Sequence, residues 1–216
     1  MDRGTLFIVG TPIGNLGDIT LRALETLKSV DFILAEDTRV TKKLLLKYEI
    51  ATSVYSAHEH TEAKKLESFI ARIVAGESVA VVTDAGTPGL SDPGNVLVSI
   101  ALAQGIRVVP IPGVSALAAI VSVAGIDMRE FVFLGFPPHK KGRETYFKGV
   151  AASEHPVVYY ESPHRLMKNL ALLQSFAPEK KAIIGRELTK LYEEIIRGSV
   201  AEAVSYTHLR AHETKA

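Results

Sequence analysis

The stretch "VGTPIGNLGDITLRAL", residues 9–24, joins a short apolar run to a helical pattern through a turn rich in glycine and proline. An ordinary connection between a strand and a helix takes about two to six residues. This one places Gly10, Pro12, Gly14 and Gly17 within eight positions. The sequence therefore indicates a backbone shaped either for a tight bend or for a small ligand that lies against bare main chain.

The same order of strand, turn-rich loop and helix recurs along the chain. Strands are predicted at Leu6–Gly10, Phe32–Ala35, Val79–Thr83, Arg107–Ile111, Phe131–Phe136, Val157–Tyr160 and Ala182–Gly185. Helices are predicted at Thr20–Val30, Val40–Lys47, Glu62–Ala75, Asn95–Gln104, Ser115–Ala124, Gly142–Ala152 and Arg165–Ser175. This alternation predicts an α/β fold with largely parallel sheets covered by helices. Runs such as "VAVVT" and "RVVPIP" are almost continuously apolar, which predicts strands buried on both faces.

The pattern restarts inside residues 125–130, so we expect two α/β domains, 1–125 and 126–204. The last segment, "SYTHLRAHETKA" (205–216), has no clear periodicity and is expected to lie outside the fold.

The composition is that of a soluble globular protein, with 47% hydrophobic and 23% charged residues. The net charge is only +1, so a nucleic-acid partner would have to bind local basic patches. The absence of cysteine excludes disulfides and thiolate metal sites and agrees with a cytoplasmic location. No apolar run approaches the roughly 18 residues of a membrane span, and the N-terminus does not resemble an export signal. We therefore expect a cytoplasmic protein without a membrane partner.

Four further loops follow predicted strands and are rich in turn residues: "TDAGTPGLSDPG" (83–94), "PIPGVSAL" (110–117), "GFPPHKKGRE" (135–144) and "YESPHR" (160–165). Ligands of open parallel sheets bind beyond the carboxyl ends of the strands, so these loops are candidate walls of a site. The first loop is neither a dinucleotide fingerprint nor a phosphate-binding loop, because "GTPIGN" lacks both glycine patterns.

Charged motifs in and near these loops each allow two interpretations. In "LAEDTR" (34–39), Asp37 caps a helix while Arg39 pairs with an acid, or Arg39 contacts a phosphate or hydroxyl group. In "HEH" (58–60) the histidines share one face of an extended segment. Without a third ligand pattern, a polar loop is favoured there and no metal is expected.

The segment "HKKGR" (139–143) is either the solvated start of a helix or a binding site for a polyanion such as RNA. The pairs Glu161–Arg165 and Glu187–Lys190 are either weak ion pairs or groups that position a substrate hydroxyl.

Taken together, the motifs resemble one family. The stretches "VGTPIGNLGDITLRALETL", "AEDTR", "HEH", "TDAGTPGLSDPG", "PGVSA", "GFPP", "KGR", "YESPHRL" and "RELTK" are similar to those of the bacterial ribosomal RNA small-subunit methyltransferase I family, in the tetrapyrrole-methylase superfamily. The resemblance covers residues 5 to about 204. It implies a two-domain α/β fold that binds S-adenosylmethionine in the cleft between its domains. It also implies methylation of the ribose 2′-hydroxyl of a cytidine in 16S ribosomal RNA or the assembled 30S subunit, by a homodimer.

The resemblance also implies site residues. Those expected to line the cofactor pocket are Pro12, Ile13, Asp84, Gly86, Thr87, Pro88, Ser115, Ala116 and Tyr160. The wider superfamily has Gly-Asp-Pro near 84–88, and either Asp84 or Gly86–Thr87–Pro88 can take that role. Residues expected to contact RNA are His58, His60, Lys140, Lys141, Arg143 and Arg165.

A ribose hydroxyl is a poor acid, so a base or a cation that stabilises the developing oxyanion should assist the transfer. The candidate bases are Glu161, Glu187 and His58. The candidate cations are Arg39, Arg165 and Lys190. Glu161, Arg39 and Lys190 are the expected catalytic group.

The chain departs from the family pattern at two places. Pro112-Gly113-Val114 stands where the family commonly has Pro-Gly-Pro. Residues 205–216 match nothing in the family, so we expect an unrelated tail and an incomplete second domain with an exposed strand edge.

Three other functions stay open from the sequence. The first is methylation of a tetrapyrrole ring carbon by the same fold. The second is a nicotinamide or flavin oxidoreductase, which the broken glycine pattern disfavours. The third is an RNA-binding module without catalysis.

Overall fold

The computed structural model describes residues 3–57, 61–91 and 95–213 and divides into two compact units, Met1–Ala116 and Leu117–Ala216. The elements of the first unit are β1 (Thr5–Val9), a 3₁₀ helix (Leu16–Asp18), α1 (Leu21–Ser29), β2 (Phe32–Ala35), α2 (Thr38–Lys47), β3 (Ser53–Ser56), α3 (Ala63–Val74), β4 (Val79–Val82), α4 (Asn95–Ala103) and β5 (Arg107–Ile111). The second unit follows with α5 (Ala116–Ser122), which begins at the division, and then β6 (Val132–Phe133), α6 (Arg143–Ala152), β7 (Val157–Val158), α7 (Pro163–Gln174), β8 (Lys181–Arg186), β9 (Glu194–Ser199) and α8 (Val200–Glu213).

The first unit is built on a five-stranded sheet in the order β3-β2-β4-β1-β5, with every pair parallel. The predicted α/β class with a mostly parallel sheet is therefore confirmed. Because all strands run in one direction, their carboxyl ends share one edge of the sheet, and the loops that follow β1, β2, β4 and β5 begin there.

Helices cover both faces of this sheet, as the alternation of side chains along each strand requires. Ile33 and Ala35 of β2 pack in a core that includes Leu27 of α1 and Leu44 of α2. The alternate residues of the same strand, Phe32 and Leu34, belong to a second core with residues of α3 and α4: Phe69, Ile70, Ile73, Leu97 and Ala101. The central strands β2 and β4 are buried at every position, as predicted.

The two edge strands differ from the expectation. The run "RVVPIP" was predicted to be buried on both faces, but β5 is an edge strand and only Ile111 in it is buried. Pro110, which has no N–H to donate, is compatible with an edge because only β1 pairs with β5. Strand β3 was not predicted, since its four residues "SVYS" carry little apolar signal.

The second unit contains two small sheets, a parallel pair β6-β7 and an antiparallel pair β8-β9. Its core includes Phe147 of α6, Leu173 of α7 and Val200 of α8. The strands predicted at 131–136 and 157–160 are shorter in the structure. Gly135 has a φ of 60°, in the left-handed region, which interrupts strand geometry even though Tyr160 N still donates to Gly135 O at 2.8 Å.

The division between the units precedes the boundary expected inside residues 125–130. Helix α5 contacts the β8-β9 pair. Arg197 Nη2 donates to Val123 O at 2.5 Å, and the Cδ1 of Ile120 lies 2.9 Å from where a Cβ on Gly185 would be. These contacts explain why residues after 116 group with the second unit.

Helix α8 runs from Val200 to Glu213, so residues 205–213 of the segment expected to lie outside the fold continue a helix of the second unit. It begins with a capping box that the sequence analysis overlooked. Glu202 N donates to Ser199 Oγ at 3.1 Å, and Ser199 N donates to Glu202 Oε2 at 2.7 Å. Further along the helix, the Tyr206 hydroxyl donates to Glu194 of β9. Within the described residues, none of the helices has both the length and the apolar character that crossing a membrane requires.

Candidate functional site

The loops after β1 and β5 touch through bare backbone. A Cβ on Gly10 would lie 2.8 Å from the Cα and N of Gly113, and a Cβ on Gly113 would lie 2.7 Å from Gly10 O. Gly10 N also donates to Ile111 O at 3.0 Å. Only glycine permits this approach at both positions, so Gly10 and Gly113 allow the backbones of the two loops to lie in direct contact.

The loops after β1 and β4 are joined by a reciprocal pair of hydrogen bonds. Thr11 N donates to Gly86 O at 2.9 Å, and Gly86 N donates to Thr11 O at 3.0 Å. The Thr11 hydroxyl, which is buried, donates to Thr83 O at 3.1 Å. Gly86 has a φ of 84°, and Ile13 Cγ2 lies 3.5 Å from the position that its Cβ would take. The two loops therefore form one connected surface that includes the predicted cofactor residues Ile13 and Gly86.

The loop after β2 joins this group through Asp84. Its Oδ1 accepts a hydrogen bond from Asp37 N at 3.0 Å. Asp37 caps α2 by accepting from Arg39 N at 2.8 Å, and it pairs with the Arg39 guanidinium, Nη2 to Oδ2, at 2.6 Å. The side-chain hydrogen bonds from Arg39 lower the pKa of Asp37 to about 2. Of the two interpretations of "LAEDTR", the structure therefore contains the capping interaction, although the Arg39 side chain remains 87% exposed.

The loops after β4 and β5 are also bonded, since Thr87 Oγ1 donates to Val114 O at 3.3 Å. The cofactor residues predicted in the first unit lie on the loops after β1, β4 and β5 or, for Ala116, at the first position of α5: Pro12, Ile13, Asp84, Gly86, Thr87, Pro88, Ser115 and Ala116. Pro12, Gly86 and Pro88 are buried, whereas Asp84 is exposed. The hydroxyl of Thr83 is buried there and, among the described residues, has no hydrogen-bond partner.

The second unit has its own polar cluster, centred on Glu161, whose side chain is only 5% exposed. Its Oε1 accepts from Ser162 N at 2.7 Å and lies 2.9 Å from Arg165 Nη2, while Oε2 accepts from Asn169 Nδ2. Arg165 also donates from Nη1 to Pro137 O at 3.1 Å. Glu161 and Arg165, expected to act on substrate, are thus held together, and both oxygens of Glu161 already accept hydrogen bonds.

Two tyrosines next to this cluster have raised pKa values. Burial, with a smaller contribution from the charge of Glu161, raises the pKa of Tyr159 to about 12. Burial likewise raises the pKa of Tyr146, with Tyr159 and Glu161 adding to the shift. Their rings meet edge to face, with centroids 6.0 Å apart. Both phenols therefore stay protonated at neutral pH.

The remaining predicted residues lie at separate places. Lys190 Nζ is 3.2 Å from Glu187 Oε1 in the β8-β9 loop, where both side chains are more than 40% exposed. Lys140 and Lys141 are exposed, and Arg143 is the first residue of α6. Tyr160 follows β7 and packs between two phenylalanine rings, Phe133 and Phe136. His58 and His60 lie outside the described residues.

Sequence reasoning missed three contributors to these sites. Thr11 and Gly113 were assigned no role, although each is the second residue after a strand end, and a glycine or small polar residue at that position was the signal available. Asn169 was missed because it lies two turns along α7 from Glu161, at i+8, where no short motif extends.

Comparison with known proteins identifies the family. The model of the tetrapyrrole (corrin/porphyrin) methylases matches residues 5–204. Three curated relatives, each named ribosomal RNA small subunit methyltransferase I, come from Synechocystis, Thermotoga maritima and Borrelia garinii. The chain is 44%, 44% and 48% identical to them over 94%, 94% and 93% of its length. It covers 74%, 91% and 90% of the relatives themselves.

Solved structures with the same fold are more distant in sequence. A cobalt precorrin-4 methyltransferase of cobalamin biosynthesis superposes with a TM-score of 0.68 at 17% identity, covering 96% of this chain and 90% of that one. Uroporphyrin-III C-methyltransferase from Thermus thermophilus superposes with a TM-score of 0.62 at 19% identity, covering 93% and 87%. At these identities the likeness establishes the fold alone.

Proposed function

The chain belongs to the tetrapyrrole (corrin/porphyrin) methylase family, and we propose that it transfers a methyl group from S-adenosylmethionine to the ribose 2′-hydroxyl of a cytidine in small-subunit ribosomal RNA. The observation that carries the proposal is the 44–48% identity, over more than nine tenths of the chain, to relatives named ribosomal RNA small subunit methyltransferase I. The two tetrapyrrole enzymes compared above are only 17% and 19% identical. An RNA acceptor is therefore favoured over a porphyrinogen.

The strand-end loops of the first unit suit the donor. Where Gly10 and Gly113 meet there is no side chain, and the positive φ of Gly86 turns its backbone beside Ile13. Backbone N–H and C=O groups in such loops can recognise the polar ends of a nucleoside, while Pro12, Ile13 and Pro88 offer apolar contact. When bound, S-adenosylmethionine supplies an activated methyl group, because its sulfonium leaves as a neutral thioether.

The protein has to orient the ribose hydroxyl, exclude water and accept one proton. In the transfer the carbon–sulfur bond breaks, a carbon–oxygen bond forms, and the hydroxyl proton passes to a base. Glu187 is the proposed proton acceptor, since it is exposed, whereas Glu161 is buried with both oxygens engaged. Lys190, which pairs with Glu187, stabilises the developing oxyanion in this proposal. Glu161 then acts as a positioning residue through Arg165 and Asn169.

The RNA acceptor is proposed to be bound by exposed cations. Lys140 and Lys141 are exposed at the start of α6, and Arg39 is exposed at the start of α2. Each can neutralise a phosphate, which contributes affinity without sequence information. We also propose, from the family resemblance, that the active form is a homodimer. Sedimentation equilibrium tests this directly.

The experiment that tests the function uses S-adenosylmethionine labelled in its methyl group and two acceptors, isolated small ribosomal subunits and a porphyrinogen. The proposal requires label in ribosomal RNA and none in the porphyrinogen. Label in the porphyrinogen alone would overturn the choice of acceptor. Calorimetric binding of S-adenosylmethionine without transfer to either acceptor would favour an RNA-binding module without catalysis.

A further inference from the structure

Phe136 is an aromatic side chain that the proposed chemistry leaves without a role. It follows β6 and is 53% exposed. One side of its ring packs on Tyr160, with centroids 5.4 Å apart and the planes tilted by 53°. Tyr160 in turn packs edge to face on Phe133 at 5.1 Å. The three rings form an aromatic stack in which Phe136 is the most exposed member.

The backbone on each side of Phe136 is held by the second unit. Gly135 O accepts from Tyr160 N at 2.8 Å, and Pro137 O accepts from Arg165 Nη1 at 3.1 Å. Arg165 is fixed in turn by Glu161, at 2.9 Å. A lone exposed phenylalanine is common on protein surfaces and needs no explanation. Here, however, a partly buried ion pair fixes the main chain beside the exposed ring, which reduces the entropy that binding would cost.

Cations follow the ring within a few residues. Lys140 and Lys141 are exposed, and Arg143 begins α6. The carboxylate nearest in sequence, Glu144, pairs with Lys148 at 2.7 Å. A flat, exposed apolar ring that is followed closely in sequence by a run of positive charge matches one chemistry in particular, a single-stranded nucleotide, whose base stacks on the ring while its phosphates contact the cations.

We propose that Phe136 is a stacking platform for an unpaired nucleobase of the RNA acceptor, and that Glu161 and Arg165 position it. This inference rests on the proposed function, because it specifies how that acceptor is held. The platform explains why a carboxylate with two engaged oxygens is buried in a loop at the carboxyl end of β7: its ion pair holds the loop that carries the ring.

The first test uses fluorescence. The chain contains no tryptophan, so Phe136→Trp places a single tryptophan at the platform. Titration with a short single-stranded oligoribonucleotide should quench its emission, and an abasic oligomer with the same phosphates should not. The matched control is Phe131→Trp, at the opposite end of β6, where the native ring is 36% exposed. Its emission should not change with either oligomer. Equal quenching of both variants by both oligomers would overturn the proposal.

The second test measures affinity. Phe136→Leu keeps an apolar side chain against Tyr160 but removes the ring, and it should weaken binding of the oligoribonucleotide by about 5- to 150-fold. The slope of log affinity against log salt should stay at the wild-type value, because no phosphate contact is lost. The double variant Lys140→Ala/Lys141→Ala should instead flatten that slope. Phe136→Tyr, which retains a ring, should restore affinity.

These outcomes separate the inference from the function on which it rests. Wild-type transfer to small subunits combined with an unchanged KM for Phe136→Leu would defeat the platform alone. Loss of transfer by the wild-type protein would defeat the proposed function, whereas base-dependent quenching would still support the platform. If Phe136→Leu leaves RNA affinity unchanged but abolishes self-association, the ring belongs to an interface between copies of the chain, and the proposal is wrong.

Discussion

The contact between Gly10 and Gly113 gives the sharpest test of the strand-end site. Alanine at position 10 would place its Cβ 2.8 Å from two backbone atoms of Gly113, which real structures do not tolerate without movement. Gly10 does not have a positive φ, so the cost is steric and not conformational. Overpacking of this kind typically costs about 1–3 kcal/mol. For a chain of this size, that lowers Tm by about 2–4 °C per kcal/mol.

The same steric cost predicts how far Gly10→Ala weakens the binding of S-adenosylmethionine. The clash is relieved by moving the β1 and β5 loops apart, and a donor held by both loops must return them to the native spacing. If binding must overcome the whole steric cost, the Kd for S-adenosylmethionine rises by about 5- to 150-fold. Gly113→Ala should behave in the same way, since its Cβ would lie 2.7 Å from Gly10 O.

The assay is titration calorimetry, paired with thermal unfolding of the same samples. The control is Gly149→Ala, at an exposed position of α6 where an added Cβ meets nothing within 4 Å. It should leave the Kd unchanged. A Gly10→Ala protein with lowered Tm but wild-type affinity would refute the reasoning, because the loops would then tolerate separation without loss of the donor site.

Three further predictions concern stability. Thr11→Val should lower the free energy of unfolding by about 1 kcal/mol, because the Thr11 hydroxyl donates to Thr83 O. Thr83→Val should not lower it, because the Thr83 hydroxyl has no described partner. Urea unfolding compares the two variants, and equal losses would contradict the assignment. Tyr159, with its pKa raised from 10 to about 12, keeps its proton when the unfolded chain has lost it, so stability should fall by about 2 kcal/mol as pH rises from 10 to 12. Tyr159→Phe should lose less over that range in unfolding titrations, and an identical pH profile would count against the shift. Gly149→Ala should raise Tm, since alanine favours an exposed helix by about 0.5–1 kcal/mol, and an unchanged or lower Tm would oppose this.

The sequence predicts the central sheet well, for physical reasons visible in particular strands. "FILA" (32–35) and "VAVV" (79–82) are apolar at every position because helices cover both of their faces. The edge strand β3 was missed because half of its residues face solvent. The length of β6 was overestimated because the apolar pattern continues past Gly135, where the backbone conformation ends the strand.

The strand-end loops of the candidate site were predictable as segments, but the contacts between them were not. Turn-rich loops at strand ends identified the segments around Ile13, Gly86 and Ser115. The Gly10–Gly113 approach depends on β5 lying beside β1, and strand order is a tertiary property that local patterns do not encode. For Glu161, the sequence allowed a weak ion pair with Arg165 or a group that positions a substrate hydroxyl, and it placed Glu161 in the expected catalytic group. Its burial and its bond to Asn169 favour a positioning role, and neither can be read from spacing alone.

The most direct test of the account is to map the methyl group on the acceptor. Small ribosomal subunits that lack the modification are incubated with the protein and S-adenosylmethionine, and the nucleosides of their RNA are analysed by mass spectrometry. The account predicts a single cytidine whose added mass resides on the ribose, with transfer strongly reduced for Gly10→Ala. A methyl group on a base, or ribose methylation that is indifferent to Gly10→Ala, would contradict it.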